Sequence, residues 1–480
     1  MFKSKARSKF LFLFFLSFLF LFLAIVFFKG DILAQLGLIA VFFLIFLFIT
    51  FNFQSGFFVL VILRVALDFF RERKIIEEPF FLNLGGVLGI FVLILGLCWF
   101  LKRRKEILKI PHSWIIFLFL IMGLINIPFL SPLTKMESFT EWVRIASFFT
   151  IYFLISNILM TKEEQFSNTK KNKKGNNIFL KVILVSAILP ALVGFWQIFK
   201  KTGLEDETGF IRVYGTFAHP NPFSYFLVVI LILLICFFID TNSKTEKKYY
   251  LFSIILGITL LVFTYSRGAW AAFLMALFLF GFFKYRKQLF FGSIIFSLSL
   301  FFLLSINNWL YRNYNFSLLY SFAPTKRLAE TLKWHPYTSS LLWRLELWED
   351  MKNVFWERPL LGQGLGTFEE EALKRRGPYS GSLEAHNDYL RVAVELGIIG
   401  LISYLLLILV FLKNSIILYK RITDESSKIF CLGFLTLFIS LFLISFGENI
   451  LRNTIVQWCL WTWAGVIFGN YQKIKLLENK

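Results

Sequence analysis

Residues 221–239 read NPFSYFLVVILILLICFFI, a run without a single charged side chain. An α-helix rises about 1.5 Å per residue, so about 20 apolar residues cross the roughly 30 Å hydrocarbon core of a bilayer. Lipid offers no partner for backbone N–H and C=O groups, and only a helix satisfies all of them within one segment. This stretch therefore predicts a membrane-spanning α-helix.

The same pattern recurs along the chain, which predicts an all-α polytopic bundle of about 12 to 14 transmembrane helices. Each predicted span is an apolar run that closes at a charged or turn-rich break. The fourteen runs cover approximately 10–28, 32–52, 54–70, 81–101, 113–131, 142–160, 178–199, 221–239, 249–265, 269–283, 288–306, 388–412, 429–446 and 453–470.

The composition excludes a soluble enzyme, a disordered chain and a disulfide scaffold. Of 480 residues, 57% are hydrophobic and 17% are charged, against roughly 25% charged in soluble domains. The four cysteines lie in apolar stretches without a CxxC pair, and the four histidines are scattered. We therefore expect no metal site and no cofactor.

The net charge of +21 is explained by membrane topology. With the N-terminus in the cytoplasm, the cytoplasmic loops and tails hold about 27 Lys and Arg and the short outer loops about 10. This is the bias of the positive-inside rule, and it disfavours a nucleic-acid partner. Arg71, Arg73 and Lys74 do not fit the alternation, which leaves twelve or thirteen spans open. The predicted location is a bacterial inner membrane, with both termini cytoplasmic.

The long outer segment from residue 307 to about 387 is nearly neutral and is expected to form a loop subdomain. Within it, residues 341–356 (LLWRLELWEDMKNVFW) place Leu341, Leu345, Trp348 and Phe355 at near-helical spacing, which predicts an amphipathic helix ended by Pro359 and the GQGLG sequence. The chain then divides into transmembrane helices at 1–177, transmembrane helices with arginine-bearing outer loops at 178–306, a periplasmic loop at 307–387 and C-terminal transmembrane helices at 388–480.

Three ionisable residues at outer span ends are functional candidates, because such residues are costly beside a bilayer. Arg212 precedes a Pro-Asn-Pro turn, and it either offers its planar fork to a phosphate or is an interfacial arginine. Arg267 either binds an anion or forms a structural ion pair. His386 either takes a proton from an attacking hydroxyl or is an interfacial hydrogen-bonding residue.

Four motifs, in their order along the chain, resemble the O-antigen ligase and polymerase superfamily of bacterial envelope glycosyltransferases. They are RVYGTFAHPNPFSYFL (212–227), SRGAW (266–270), Arg344 and Trp348 followed by ERPLLGQGLGTF (357–368), and AHNDYLRVAVELGIIGLISYL (385–405).

The resemblance implies a metal-independent transferase that works on the periplasmic face. Its donor would be a glycan on undecaprenyl diphosphate, and its acceptor lipid A-core or another glycan. His386 would be the catalytic base, and a base acting opposite the diphosphate predicts inversion at the transferred sugar. Arg212, Arg267, Arg344 and Asn387 would bind substrate.

Other interpretations remain open at this point. A polymerase of the same superfamily would join lipid-linked repeat units instead of decorating lipid A-core. A transporter would move the lipid-linked glycan, although no internal repeat is visible. A non-catalytic assembly protein would use the long loop for docking alone.

Overall fold

The computed structural model describes residues 60–62, 64–66, 68, 74–76, 82–125, 127, 132–161, 178–205, 211–285, 340–377 and 382–478. The predicted spans 10–28, 32–52 and 288–306 lie outside these residues, as does most of 54–70. Within them the chain forms thirteen helices and two pairs of very short antiparallel strands. The predicted all-α class is confirmed. The four-part division of the chain stays a prediction.

The elements are β1 (Lys74–Ile76), β2 (Leu82–Asn83), α1 (Leu84–Ile107), α2 (Ser113–Ile125), α3 (Pro132–Thr161), α4 (Ile178–Ser186), α5 (Ile188–Lys200), β3 (Leu204–Glu205), β4 (Ile211–Arg212), α6 (Pro220–Asp240), α7 (Lys244–Phe263), α8 (Arg267–Lys284), α9 (Ser340–Glu357), α10 (Phe368–Arg376), α11 (Asp388–Arg421), α12 (Glu425–Ile444) and α13 (Thr454–Glu478).

Six segments among the described residues are long and apolar enough to cross a membrane, so the chain is a multi-pass membrane protein. Helices α4 and α5 together make one of them, as the run 178–199 predicted. Helix α2 ends at Ile125, although the sequence pattern predicted a span to residue 131. The six segments are Lys135–Met160, Ile178–Lys200, Pro220–Asp240, Arg267–Lys284, Asp388–Arg421 and Glu425–Ile444.

Helices α3 and α13 share the most extensive interface among the described helices, and glycines on α13 let the two backbones approach. A Cβ on Gly469 would lie 2.9 Å from the Cα of Ser156, which leaves no room for a side chain. The indole N–H of Trp458 donates to the Ser147 hydroxyl at 3.1 Å across the same interface. Helix α6 packs against α7, α12 and α13 and is buried along most of its length.

The loop subdomain has a small hydrophobic core of its own, made by α9, α10 and the first turns of α11. The predicted amphipathic helix is confirmed as α9, and it ends before Pro359 as expected. Leu345, on the predicted apolar face, is 46% exposed, whereas the side chains of α9 that enter this core are Leu347, Met351 and Val354. The buried core residues are Leu347, Met351, Val354, Phe368, Ala372, Ala385 and Val394.

Helix α11 is broken at Gly397, and the GQGLG loop fills the break. Gly397 has φ 67° and ψ −170°, a conformation that essentially only glycine adopts. The N–H of Ile398 donates to the carbonyl of Pro359 at 2.8 Å. A Cβ on Gly362 would lie 2.5 Å from the backbone of Glu395. The break therefore anchors the loop subdomain on the membrane helix that follows His386.

Candidate functional site

His386 lies between α9 and the start of α11, at the end of the bundle that carries the loop subdomain. Its backbone φ is 45°, in the left-handed region, and its ring packs edge-on against Trp343 with centroids 6.1 Å apart. The indole N–H of Trp348 donates to the carbonyl of Ala385 at 2.7 Å. Helix α9 thus determines where the imidazole sits.

A carboxylate that the sequence analysis did not single out faces this imidazole. Glu448 follows α12, and its Oε2 lies 3.9 Å from Nδ1 of His386. Its Oε1 lies 3.9 Å from a guanidinium nitrogen of Arg344, whose other terminal nitrogen donates to the carbonyl of Gly447 at 2.9 Å. Two predicted site residues, His386 and Arg344, therefore meet around Glu448.

The first turn of α8 borders the same carboxylate. A Cβ on Gly268 would lie 2.9 Å from Oε1 of Glu448 and would overlap the hydroxyl of Tyr225. That hydroxyl is buried without a hydrogen-bond partner among the described residues. Arg267 begins this helix next to Gly268, so its backbone stands at the site's edge.

The N-terminus of α8 lacks a side-chain cap. Ser266 occupies the N-cap position, yet its hydroxyl makes no capping hydrogen bond. The hydroxyl is buried and has no partner among the described residues. Helix N-termini present free N–H groups and a partial positive charge, which attract anions. Anion binding by Arg267 stays a prediction, and the unpartnered Ser266 hydroxyl lies directly beside it in the chain.

His219 links the arginine-bearing turn to the same region. Its Nδ1 accepts from the N–H of Asn221 at 3.2 Å and caps α6. Burial and the positive charge of Arg212 lower the pKa of His219 to about 4, while Glu384 and Glu448 oppose the shift. This imidazole is therefore neutral at pH 7, with its proton on Nε2 because Nδ1 is the acceptor.

Arg212 has a structural role as well as a position near the site. Its Nε donates to the carbonyl of Thr264 at 2.9 Å, and one terminal nitrogen donates to Oδ1 of Asn221 at 2.7 Å. It thereby ties the end of α7 to the start of α6. The interfacial and the phosphate-binding interpretations of Arg212 are compatible, because a guanidinium carries five donors.

Asn387 caps α11. Its side-chain oxygen accepts from the N–H groups of Tyr389 and Leu390, each at 3.0 Å. An N-cap of this kind stabilises a helix by about 1 kcal/mol. The oxygen is thus engaged in holding the helix that follows His386, and substrate binding by Asn387 stays a prediction.

A network of buried charged side chains connects the elements that carry the site. Arg391 donates to Glu395 at 2.8 Å and to Glu141 at 3.0 Å. Arg144 also pairs with Glu141 and donates to the carbonyl of Leu451 at 3.1 Å. The network joins α3, α11 and the loop that carries Glu448, so it holds these elements in register. Sequence analysis missed it because Glu141 and Arg391 are far apart in the chain.

Within the described ranges, no three His, Cys, Asp or Glu side chains are grouped to hold a metal ion.

Residues 251–407 match the family model described as O-antigen ligase. The predicted resemblance to the O-antigen ligase superfamily is confirmed. The matched range includes SRGAW, α9 and His386, which border the site, and the GQGLG loop, which fills the break in α11. A protein of Rickettsia conorii named "putative polysaccharide ligase" is 25% identical over 289 residues. That alignment covers 58% of this chain and 66% of the relative.

The match to the O-antigen ligase model ends before Glu448. Among the described residues, the carboxylate that lies within 4 Å of His386 is therefore contributed by a loop outside the matched range, and the packing of α12 beside α11 brings it into the site.

Proposed function

We propose that this chain is an O-antigen ligase-like glycosyltransferase, which moves a glycan from undecaprenyl diphosphate to lipid A-core on the periplasmic face of a bacterial inner membrane. The observation that carries the proposal is that His386, Arg344 and the first turn of α8 all lie beside the same carboxylate, that of Glu448. A transfer from a diphosphate needs one base and a set of positive groups, and both are present here.

His386 acts as the base in this proposal. Its Nδ1 faces Glu448, so Nε2 is the nitrogen available to the acceptor hydroxyl. As the hydroxyl oxygen bonds to the anomeric carbon, its proton passes to Nε2. The bond from that carbon to the diphosphate oxygen breaks, and the electron pair leaves with the diphosphate. A positioned base contributes about 10²- to 10⁴-fold in rate.

The diphosphate is held by Arg267, Arg212 and Arg344 in this proposal. Support comes from the N-terminus of α8, where the buried Ser266 hydroxyl has no partner among the described residues. A guanidinium binds phosphate oxygens through two parallel hydrogen bonds and stays charged at every physiological pH. These groups stabilise the negative charge that develops as the sugar departs.

The test is the envelope polysaccharide profile of a deletion strain that carries either the wild-type gene or His386→Ala, with membrane levels of both proteins matched by immunoblot. We expect wild type to restore glycan on lipid A-core, and His386→Ala to leave long chains on undecaprenyl diphosphate. Acceptors bearing only one repeat unit would indicate the polymerase. Equal restoration by both genes would contradict the assignment of His386.

A further inference from the structure

We infer that Glu448 is the positioning carboxylate of His386, and that the loop 445–453 holds it against the imidazole. The inference rests on the proposed function, since it gives Glu448 a task only if His386 accepts a proton. It adds to that function a third group, supplied by a part of the chain outside the family match.

The atoms of Glu448 are placed for this task. Its Oε2 is 3.9 Å from Nδ1 of His386, and that nitrogen is buried with no hydrogen-bond partner among the described residues. A base that takes a proton on Nε2 must carry hydrogen on Nδ1, and that hydrogen needs an acceptor. Catalytic hydrogen bonds are often long without substrate and shorten when it binds. Glu448 is thus the acceptor within reach.

The loop that carries Glu448 is bound on both sides by elements of the site. On the near side, the N–H of Asp388 donates to the carbonyl of Ser445 at 2.9 Å, and Arg344 donates to that of Gly447 at 2.9 Å. On the far side, the N–H of Leu451 donates to Oδ2 of Asp388 at 2.8 Å. Asp388 is two residues from His386, so the same short segment positions both the imidazole and the carboxylate.

Glu448 is not explained as a simple counterion of Arg344. Arg344 and His386 both lie 3.9 Å from Glu448, but Nδ1 of His386 is buried with no hydrogen-bond partner among the described residues. Arg344 also donates to the carbonyl of Gly447, which fixes the loop and not the carboxylate. Among the described residues, Arg344 lies beside Glu448, Tyr225 and His219 are within electrostatic reach of it, Arg212 and Glu384 act on His219, and Asp388 acts on Tyr225.

A double-mutant cycle tests the inference. His386→Ala, Glu448→Gln and the double variant are compared with wild type by the initial rate of glycan transfer in the complemented deletion strain. If Glu448 acts through His386, Glu448→Gln alone lowers the rate about 10- to 100-fold, and the double variant is no slower than His386→Ala. The matched control is Glu349→Gln, on the exposed side of α9, which should leave the rate unchanged.

Two further measurements separate this role from a structural one. Purified full-length Glu448→Gln should bind undecaprenyl diphosphate in vesicles as well as wild type. Its rate–pH profile should have an acid limb at lower pH, because loss of the negative charge disfavours the imidazolium. Glu448→Asp, which keeps the charge, should retain more activity than Glu448→Gln and serves if the latter is poorly folded.

The outcomes distinguish the inference from the proposed function. Full activity of Glu448→Gln beside an inactive His386→Ala would overturn the inference alone. The inference would also be overturned if the double variant were slower than His386→Ala by the same factor by which Glu448→Gln alone slows the wild-type protein. Full activity of His386→Ala would overturn the proposed function.

Discussion

The break in α11 at Gly397 allows a quantitative prediction for Gly397→Ala. The φ and ψ of 67° and −170° cost a residue with a Cβ about 1–3 kcal/mol. The new Cβ would also overlap the carbonyl group of Leu360, so the loop must move away.

Movement of the loop breaks the hydrogen bonds across the junction. The N–H of Ile398 would lose the carbonyl of Pro359 at 2.8 Å, and the N–H groups of Gln363 and Gly364 would lose two carbonyls of α11, each at 2.9 Å. At about 1 kcal/mol each, with the strain added, the cost is about 4–6 kcal/mol. A free-energy change of 1.4 kcal/mol is a factor of ten in an equilibrium constant. The state in which these three hydrogen bonds are broken should therefore become about 10³- to 10⁴-fold more populated.

The assay is hydrogen exchange of the amides at residues 363, 364 and 398 in the full-length protein in lipid nanodiscs. Gly377→Ala is a matched control, because Gly377 has a similar backbone conformation, φ 77° and ψ 171°, but no atom of the described residues within 4 Å of its Cβ position. We expect fast exchange and lost transfer activity in Gly397→Ala only. Equal protection of these amides in both variants would refute the steric argument.

Two other changes have defined outcomes. Arg391→Ala leaves Glu395, which is 2% exposed, without its cation, and should destabilise the protein by about 3–5 kcal/mol in thermal unfolding. The control Arg358→Ala, at an exposed position, should change stability by less than about 0.5 kcal/mol. Equal melting temperatures of the two variants would contradict a stabilising role of the network. His219→Asn keeps an N-cap acceptor and removes a titrating group. Because the pKa of His219 is lowered from 6.5 to about 4 in the fold, the unfolded chain binds the proton first, and wild-type stability falls as pH drops through that window. The variant should lose less melting temperature between pH 6.5 and 4, and identical slopes would show that His219 does not contribute.

The buried ion network fixes the positions of the elements that carry the site relative to one another. Four charged side chains on α3 and α11 are mutually paired, and Arg144 extends the pairing to the loop of Glu448. Buried pairs of this kind contribute little net stability, yet breaking one is costly. Their effect here is to set the position of α11 relative to the loop after α12.

The fold class could be predicted from the sequence because span length and apolarity are properties of one contiguous stretch. The helix over 341–356 was predictable in the same way, although its buried face was not. Spacing grouped Leu345 with Trp348 and Phe355 on one apolar face, whereas the side chains of α9 in the core are Leu347, Met351 and Val354. Which face of an amphipathic helix is buried depends on the surface it packs against, and here that surface comes from α10 and α11.

His386, Arg212, Arg267 and Arg344 were selected from the sequence because each is an ionisable or planar donor group in an ordered set of motifs. Glu448 escaped selection, since it lies in a short polar turn between two spans with no motif around it. Its proximity to His386 arises only when α12 packs beside α11 and Asp388 binds the backbone at Leu451. The chemical properties of a side chain follow from its residue type and can be predicted from the sequence. The distance between two loops depends on how the helices that carry them pack, and only the tertiary structure determines that packing.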